Sequence, residues 1–326
     1  MEITFAGCSS EYWKKKIEEL KHNYKEHLFK EVKREFEKEE IEFTHVLITY
    51  RLKKEQIEFS KNLKYLFVPY AGLNNFPLDT LKERDVVVCN SHENTKYVAE
   101  RAFGLTLALL GKIVIFHNDL KKGIWHRDGL YKEYWDTIRE KKCTIVGTGS
   151  IGKELARLLK VFNCKIMGVK RKLEKNENLE NFDFITDNLS EGLKFGQIVL
   201  LTLPLTKESE NLINEKNISL LEGKYLVNVS RGRIIDEKVL YESLKNKILK
   251  GAALDVWYNY PKDGEENKKP PSTYPIYELE NVVISPHKGA HTEEAEKGDV
   301  DFTIENIKNL IEGKKLKNII DLEKGY

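Results

Sequence analysis

Arg231 and His287 are the side chains whose surroundings point most directly to chemistry. Arg231 follows an apolar run and precedes a glycine, in Asn228-Val-Ser-Arg-Gly-Arg-Ile-Ile-Asp236. A guanidinium placed where a strand ends can grip a carboxylate with a two-pronged fork. An isolated arginine is more often a solvated ion-pair partner, but the apolar strand and Gly232 on either side argue against that here. Arg233 has no such support and reads as a surface residue. His287 stands in Ile284-Ser-Pro-His-Lys-Gly-Ala-His291, with Pro286 stiffening the approach. An imidazole projecting from a strand end can give and take protons near neutrality. His291, one helical turn on, is the weaker candidate, and His22, His27, His45, His117 and His126 lie in polar or amphipathic contexts without a role. Asp255, in Gly251-Ala-Ala-Leu-Asp-Val-Trp-Tyr-Asn-Tyr-Pro261, could cap a turn or sit beside a bound ring, and spacing leaves both open.

A third stretch supplies what these residues would work on. Cys143-Thr-Ile-Val-Gly147-Thr-Gly149-Ser150-Ile151-Gly152 is a short apolar run breaking into three glycines spaced G-x-G-x-x-G. Leu155, Leu158, Leu159 and Phe162 follow at helical spacing. A strand feeding a helix through such a turn is a dinucleotide site. Gly147 would permit the tight turn, Gly149 would let backbone approach a diphosphate, and Gly152 would let helix pack on strand. The next strand is followed by Lys170-Arg171-Lys172, where an NAD site usually carries a carboxylate for the ribose hydroxyl. Three cations suit a 2′-phosphate, so NADP is the expected cofactor, with NAD the alternative.

The elements that must position these residues alternate. Strands are expected at residues 3–5, 45–49, 65–68 and 86–89, with a Lys/Glu-rich helical region over 11–39 and a turn at Asn74-Asn75. A long, nearly all-round apolar helix over 94–120 predicts burial in a core or a subunit interface. Further strands are expected at 144–146, 165–169, 182–185, 198–203, 226–229, 252–255 and 282–285. Helical segments separate most of them, which predicts parallel sheets covered on both faces. A last helix over 292–311 and a short strand at 318–320 would return to the first domain. Residues 258–277 read as a surface loop.

At 326 residues the chain can hold two cores, and a net charge of +2 without a basic, aromatic-laced block makes nucleic acid an unsuitable partner. Balanced Lys and Glu resemble the surfaces of thermophile proteins. The longest apolar run is interrupted by Lys112 and is too short for a bilayer, and the first residues lack a signal-peptide pattern. Cys8, Cys89, Cys143 and Cys164 fit neither a metal spacing nor a disulfide framework. They read as buried thiols of a cytoplasmic protein.

The order G-x-G-x-x-G, R-G-x-x-x-D, A-L-D-V, S-P-H resembles the D-isomer-specific 2-hydroxyacid dehydrogenases. Tyr70-Ala71-Gly72-Leu73-Asn74 is similar to that family's substrate loop, Val98-Ala-Glu100 to its crossover helix, Leu203-Pro204-Leu205-Thr206 to its L-P-L-T turn, and Asn318-Ile-Ile-Asp321 to its closing segment. The resemblance implies two doubly wound α/β domains. A Rossmann cofactor domain, residues 94–294, would be inserted into a flavodoxin-like substrate domain, residues 1–93 and 295–326. It implies hydride transfer between NAD(P)H and a small 2-oxo acid of the glyoxylate or hydroxypyruvate kind, and a homodimer formed through the cofactor domain. Arg231 would bind the carboxylate and polarise the keto oxygen, His287 would protonate that oxygen, and amides around Ala71, Gly72 and Leu73 would close on the carboxylate. Ser150, Ile151, Leu203, Pro204, Val229 and Asp255 join the glycines as expected cofactor contacts. Tyr260 stands where the family usually has the glutamate that pairs with the histidine. A neutral phenol leaves His287 near its ordinary value, about 6.5, unless Asp263, Glu265 or Glu266 folds back. That departure keeps an alternative open, a cofactor-sensing, corepressor-like protein of the same fold. His92 and Glu93 replace residues usually small in the family, which predicts a polar pocket.

Overall fold

The computed structural model describes residues 1–73, 76–125, 134–173, 179–261 and 269–323. Asn74, Asn75, His126, Asp263, Glu265 and Glu266 lie outside the described residues. The chain divides into two compact units, Met1–Asn94 with His291–Tyr326, and Thr95–Ala290.

The first unit begins with β1 (Glu2–Ala6), α1 (Glu11–Asn23), β2 (Leu28–Val32), β3 (Val46–Thr49), α2 (Lys54–Phe59), β4 (Tyr65–Val68), α3 (Leu78–Glu83) and β5 (Val87–Asn90). Its five strands are all parallel in the order β2-β1-β3-β4-β5, the doubly wound flavodoxin-like arrangement. Every residue of β3 is buried, as a parallel strand with both faces covered requires. α1 starts where the Ser10 hydroxyl accepts the Trp13 amide at 3.3 Å. It then buries Trp13, Ile17 and Leu20, spaced as one helical stripe.

The helical reading of residues 11–39 is corrected here. The helix stops at Asn23, and Leu28–Val32 is the edge strand of the sheet. Edge strands carry charge because one side faces water. Lys30 and Glu31 therefore masked β2, and the Lys30 ammonium in fact pairs with Glu2 of β1 at 2.8 Å.

The second unit runs through α4 (Thr95–Leu110), α5 (Ile113–Lys121), β6 (Lys142–Val146), α6 (Ser150–Lys160), β7 (Lys165–Val169), β8 (Phe184–Thr186), α7 (Leu189–Phe195), β9 (Ile198–Leu201), β10 (Tyr225–Asn228), α8 (Glu237–Lys245), β11 (Gly251–Leu254) and β12 (Val282–Ile284). The sheet order is β12-β11-β10-β9-β6-β7-β8, every pair parallel. Winding proceeds one way from β6 to β8 and the other way from β9 to β12. The direction therefore reverses between β6 and β9, beyond whose carboxyl ends ligands bind in such sheets. One core joins Ala99, Ala102 and Leu109 of α4 to Leu155 and Leu159 of α6. The other joins Leu193 of α7 to Leu240 and Leu244 of α8.

The long helix expected over 94–120 is two helices. The Gly111 amide closes on the Leu107 carbonyl at 2.9 Å, and Lys112 then turns left-handed, φ 50°. A left-handed residue ends a helix, and that position is usually glycine. α4 is buried along one side, whereas α5 buries none of its residues and exposes Ile113, Val114 and Leu120.

The chain returns to the first unit as α9 (Glu293–Ile311), capped by the Thr292 side chain on the Ala295 amide at 3.0 Å. Residues 318–320 make one antiparallel bridge, Ile319 with Cys89, instead of a full strand. Among the described residues no helix is long and apolar enough to cross a membrane, and no group of three or more His, Cys, Asp or Glu could hold a metal ion.

Candidate active site

At the end of β6 each glycine has its own reason to be glycine. Gly147 has φ +101°, and a Cβ there would lie 2.8 Å from the Thr202 backbone. A Cβ on Gly152 would lie 2.2 Å from the Gly147 carbonyl oxygen, so α6 presses directly on the turn. Gly149 differs, because a Cβ there would meet nothing within 4 Å. The first bond of α6 runs from the Lys153 amide to the Gly149 carbonyl at 2.9 Å, so the amides of Ser150, Ile151 and Gly152 precede the helical ladder. An open cradle at a helix N-terminus fits a dinucleotide's diphosphate. Beyond β7, half-buried Lys170 donates its amide to Thr186 at 3.1 Å. Exposed Arg171 lies near Glu208, whose carboxyl is held below its usual range first by the Thr206 hydroxyl and further by Arg171.

A chain of contacts leads from this turn along the strand ends to Arg231. Thr202 Oγ1 donates to the Gly147 carbonyl at 2.7 Å. The Ser230 hydroxyl donates to the Leu201 carbonyl at 2.6 Å and accepts the Leu203 amide at 3.0 Å. Leu203 is half-buried, Pro204 exposed and Val229 buried. The Asn228 side chain spans the turn, accepting the Ser230 amide and donating to the Arg231 carbonyl, each at 3.0 Å. Half-buried Arg231 turns one guanidinium nitrogen to the Ser230 carbonyl at 2.7 Å. Gly232 follows because a Cβ there would sit 2.3 Å from the Trp257 carbonyl, which presses the arginine turn against the loop after β11. Arg233 points to solvent and pairs with Glu210 at 3.2 Å.

That loop carries Tyr260, and the segment after β12 carries His287. Their rings lie 5.4 Å apart, tilted by 55°. The Tyr260 hydroxyl accepts the Trp257 amide at 3.2 Å, and the Trp257 indole donates to the Ser285 carbonyl at 2.9 Å. His287 is left-handed, φ 56°. The Asp255 carboxylate, 1% exposed, accepts the amides of Lys288 at 3.0 Å and Gly289 at 2.7 Å. Of the two readings of Asp255, the geometry displays the turn cap. It holds the backbone in the conformation that carries the imidazole. The parts played by Ser230 and Trp257 have no signature in the sequence. Gly232 is visible there as the glycine adjoining Arg231, without the steric reason for it.

The family model for the NAD binding domain of D-isomer specific 2-hydroxyacid dehydrogenases matches residues 103–289. D-3-phosphoglycerate dehydrogenase of Methanocaldococcus jannaschii is 30% identical over 83% of this chain, which spans 50% of that relative's length. Glyoxylate reductase of Pyrococcus furiosus is 30% identical over 85% of this chain and 82% of its own. The chain belongs to the D-isomer-specific 2-hydroxyacid dehydrogenase family. With it, the chain joins the NAD(P)-dependent oxidoreductases acting on CH–OH groups. Its fold is also that of an acyclic imino acid reductase solved with NADPH and D-Arg, at TM-score 0.81 and 27% identity, covering 98% of this chain and 100% of the other.

Within this family member the second unit brings Arg231, Asp255, Tyr260 and His287 together, whereas Ala71, Gly72 and Leu73 belong to the first unit. There the Tyr70 ring stacks on Tyr50 at 6.0 Å and the Asn90 amide group donates to the Ala71 carbonyl at 2.7 Å. Gly72 is half-buried and Leu73 buried. His92 and Glu93 are exposed on a loop tied to α9, where buried Asp299 accepts the Ser91 hydroxyl at 2.5 Å.

The electrostatics correct one expectation. His287 does not sit at the ordinary imidazole value. Desolvation by the surrounding protein and then the Arg231 guanidinium hold it lower, with Asp255 acting in the opposite direction. Tyr260 is pushed up by burial, against the Trp257 amide and Arg231, and keeps its proton. A ring-proton titration by NMR is expected to place His287 below about 6.5. Asp255→Asn removes the charge that raises it and moves the midpoint further down, while Tyr260→Glu adds a carboxylate and moves it up. An unmoved midpoint in both variants would show that neither residue faces the imidazole.

Proposed function

We propose that this protein is a reductase of small 2-oxo acids that prefers NADPH, with NADH the alternative. The observation that carries the reading is the grouping of Arg231 and His287 beyond the same strand ends as the open glycine cradle. A bound reduced nicotinamide supplies the hydride. Arg231 holds the substrate carboxylate with its fork and polarises the keto oxygen. His287, protonated, donates to that oxygen as negative charge grows on it. Asp255 holds the turn that aims His287. Tyr260 lies against the imidazole as a neutral partner, so the cation is stabilised less than beside a carboxylate. Reduction is therefore expected to fall as pH rises through a value below about 6.5, because only the protonated imidazole donates. Oxidation of the hydroxy acid, which needs the neutral ring, runs the other way. Glyoxylate and hydroxypyruvate are the first substrates to offer, supported by the glyoxylate reductase likeness.

Following reduced-nicotinamide absorbance with a panel of 2-oxo acids tests this directly. Arg231→Gln is expected to lower kcat/KM by about a hundredfold or more, and a loss of only a few-fold would remove the carboxylate clamp. Tight NADPH binding without turnover on any acid would favour the cofactor-sensing alternative.

The NADPH preference rests on Lys170 and Arg171, the two cations that directly follow β7. Exchanging them for Asp and Ala together is expected to shift the kcat/KM ratio toward NADH by at least about tenfold. An unchanged ratio would sink the phosphate-binding assignment.

We also propose a homodimer formed through the second unit. Its support is the apolar surface of α5 and the residues after it, with Ile113, Val114, Leu120, Ile124 and Trp125 all exposed. Sedimentation velocity should report twice the mass of one chain, and Val114→Glu with Leu120→Lys should halve it. A wild-type monomer at micromolar concentration would end the proposal.

A further inference from the structure

The backbone that carries His287 is fastened on both sides of the ring. After it, the Lys288 and Gly289 amides bond to Asp255. Before it, Ser285 is 2% exposed and has all its polar groups engaged. Its amide donates to the Leu254 carbonyl at 2.9 Å, and its carbonyl accepts the Trp257 indole at 2.9 Å. Its hydroxyl accepts a guanidinium nitrogen of Arg101 at 2.7 Å. The first two partners belong to β11 and the loop after it, whereas Arg101 comes from α4.

Val98 and Arg101 stand at i, i+3 spacing on α4 and so share one helix face. A Cβ on Gly289 would lie 3.7 Å from Val98 Cγ1. Val98 therefore backs the chain just beyond the histidine, while Arg101 holds it just before. The neighbouring face of α4 buries Ala99 and Ala102 in the core that contains Leu155 and Leu159 of α6, and α6 is the helix that opens at the glycine cradle. One helix thus backs both the cofactor turn and the histidine turn. The Arg101 bond is charge-assisted, and a planar guanidinium fixes its direction. Arg101 is itself exposed, so removing its side chain deletes this bond without opening a cavity in the core.

We propose that Arg101 is a positioning residue for the reduction, its bond to the Ser285 hydroxyl holding the His287 turn in register with the helix that also backs the glycine cradle. The proposal rests on His287 being the proton donor. The effect of Arg101 runs through Ser285 and Pro286, so it falls on the aim of the imidazole and not on the grip of Arg231 on the carboxylate. Such a residue changes kcat more than KM. Without the bond the histidine turn gains freedom and the ring meets more water. The desolvation that holds His287 low is then relieved, while Arg231, Asp255 and the Tyr260 phenol remain around it.

Glyoxylate reduction with NADPH is to be followed against pH in the wild type, Arg101→Ala, Ser285→Ala and the double variant. On the low-pH plateau, where the imidazole is protonated, each single change should lower kcat about tenfold and leave KM for glyoxylate within about twofold. The double variant should be no slower than the slower single one, because both changes remove the same bond. The His287 ring-proton midpoint, read by NMR on the protein without cofactor, should rise toward about 6.5 in all three variants. Ser285→Ala keeps the arginine charge, so a rise there reports the ring's surroundings and not a lost cation. It also leaves only an exposed guanidinium to water, whereas Arg101→Ala strands a buried hydroxyl, so Ser285→Ala serves where the arginine variant folds poorly. Losses that multiply in the double variant, an unchanged kcat in Ser285→Ala, or an unmoved midpoint would each overturn the proposal. His287→Gln turning over at the wild-type rate would remove the proton donor itself, while the ring titrations judge the Arg101 bond independently of turnover.

Discussion

The architecture of the second unit hangs on how closely α6 approaches the end of β6. The Gly147 carbonyl lies where the first carbon of any side chain at position 152 would have to be. Gly147 itself is wedged against Thr202 of the neighbouring strand connection. Only with both positions bare does the helix begin next to the strand, its leading amides turned toward the open space over Gly149. Widening that contact by a single carbon would lift the helix end and misdirect the amides. The Thr202–Gly147 bond and the Ser230 bridge to Leu201 and Leu203 carry the same tight spacing across the sheet. The arginine turn inherits its position from the glycine turn.

The imidazole is held by a different economy. A left-handed non-glycine residue costs roughly 1–3 kcal/mol, and His287 bears that cost. Two backbone amides bonded to a buried carboxylate contribute about 1.5–3 kcal/mol each, enough to offset it. The histidine is therefore oriented through its backbone while its ring stays available. Its ring partner is a phenol. With Arg231 nearby and no carboxylate at position 260, the balance of charge around the imidazole favours the neutral form.

What could be read in the sequence follows from burial. β3, β9 and β11 are buried at every position and read as apolar runs, with Thr49 at the end of β3 the one polar residue, so the parallel sheets were legible. The G-x-G-x-x-G turn was legible because its glycines answer steric demands, and those demands are visible as spacing. β2 was not, because an edge strand rich in charge looks like the exposed side of a helix. The break at Lys112 was not either, since the left-handed stop that usually selects glycine is taken by lysine one residue later. Most hidden was the lowered imidazole. It depends on Arg231 and Asp255 lying near His287 in space, and residue types alone carry no distances.

The grip of Asp255 falls on main-chain amides, and this has a corollary for how the site can change. Gly289, whose Cβ would crowd the carboxylate at 2.9 Å, is sterically tied to that clamp. The side chain of Lys288, exposed and uninvolved in holding the turn, can change through mutation without loosening the backbone that carries His287. Residue 288 is thus a natural handle for retuning charge near the imidazole, by selection or by protein engineering, while the Asp255 clamp stays unaltered.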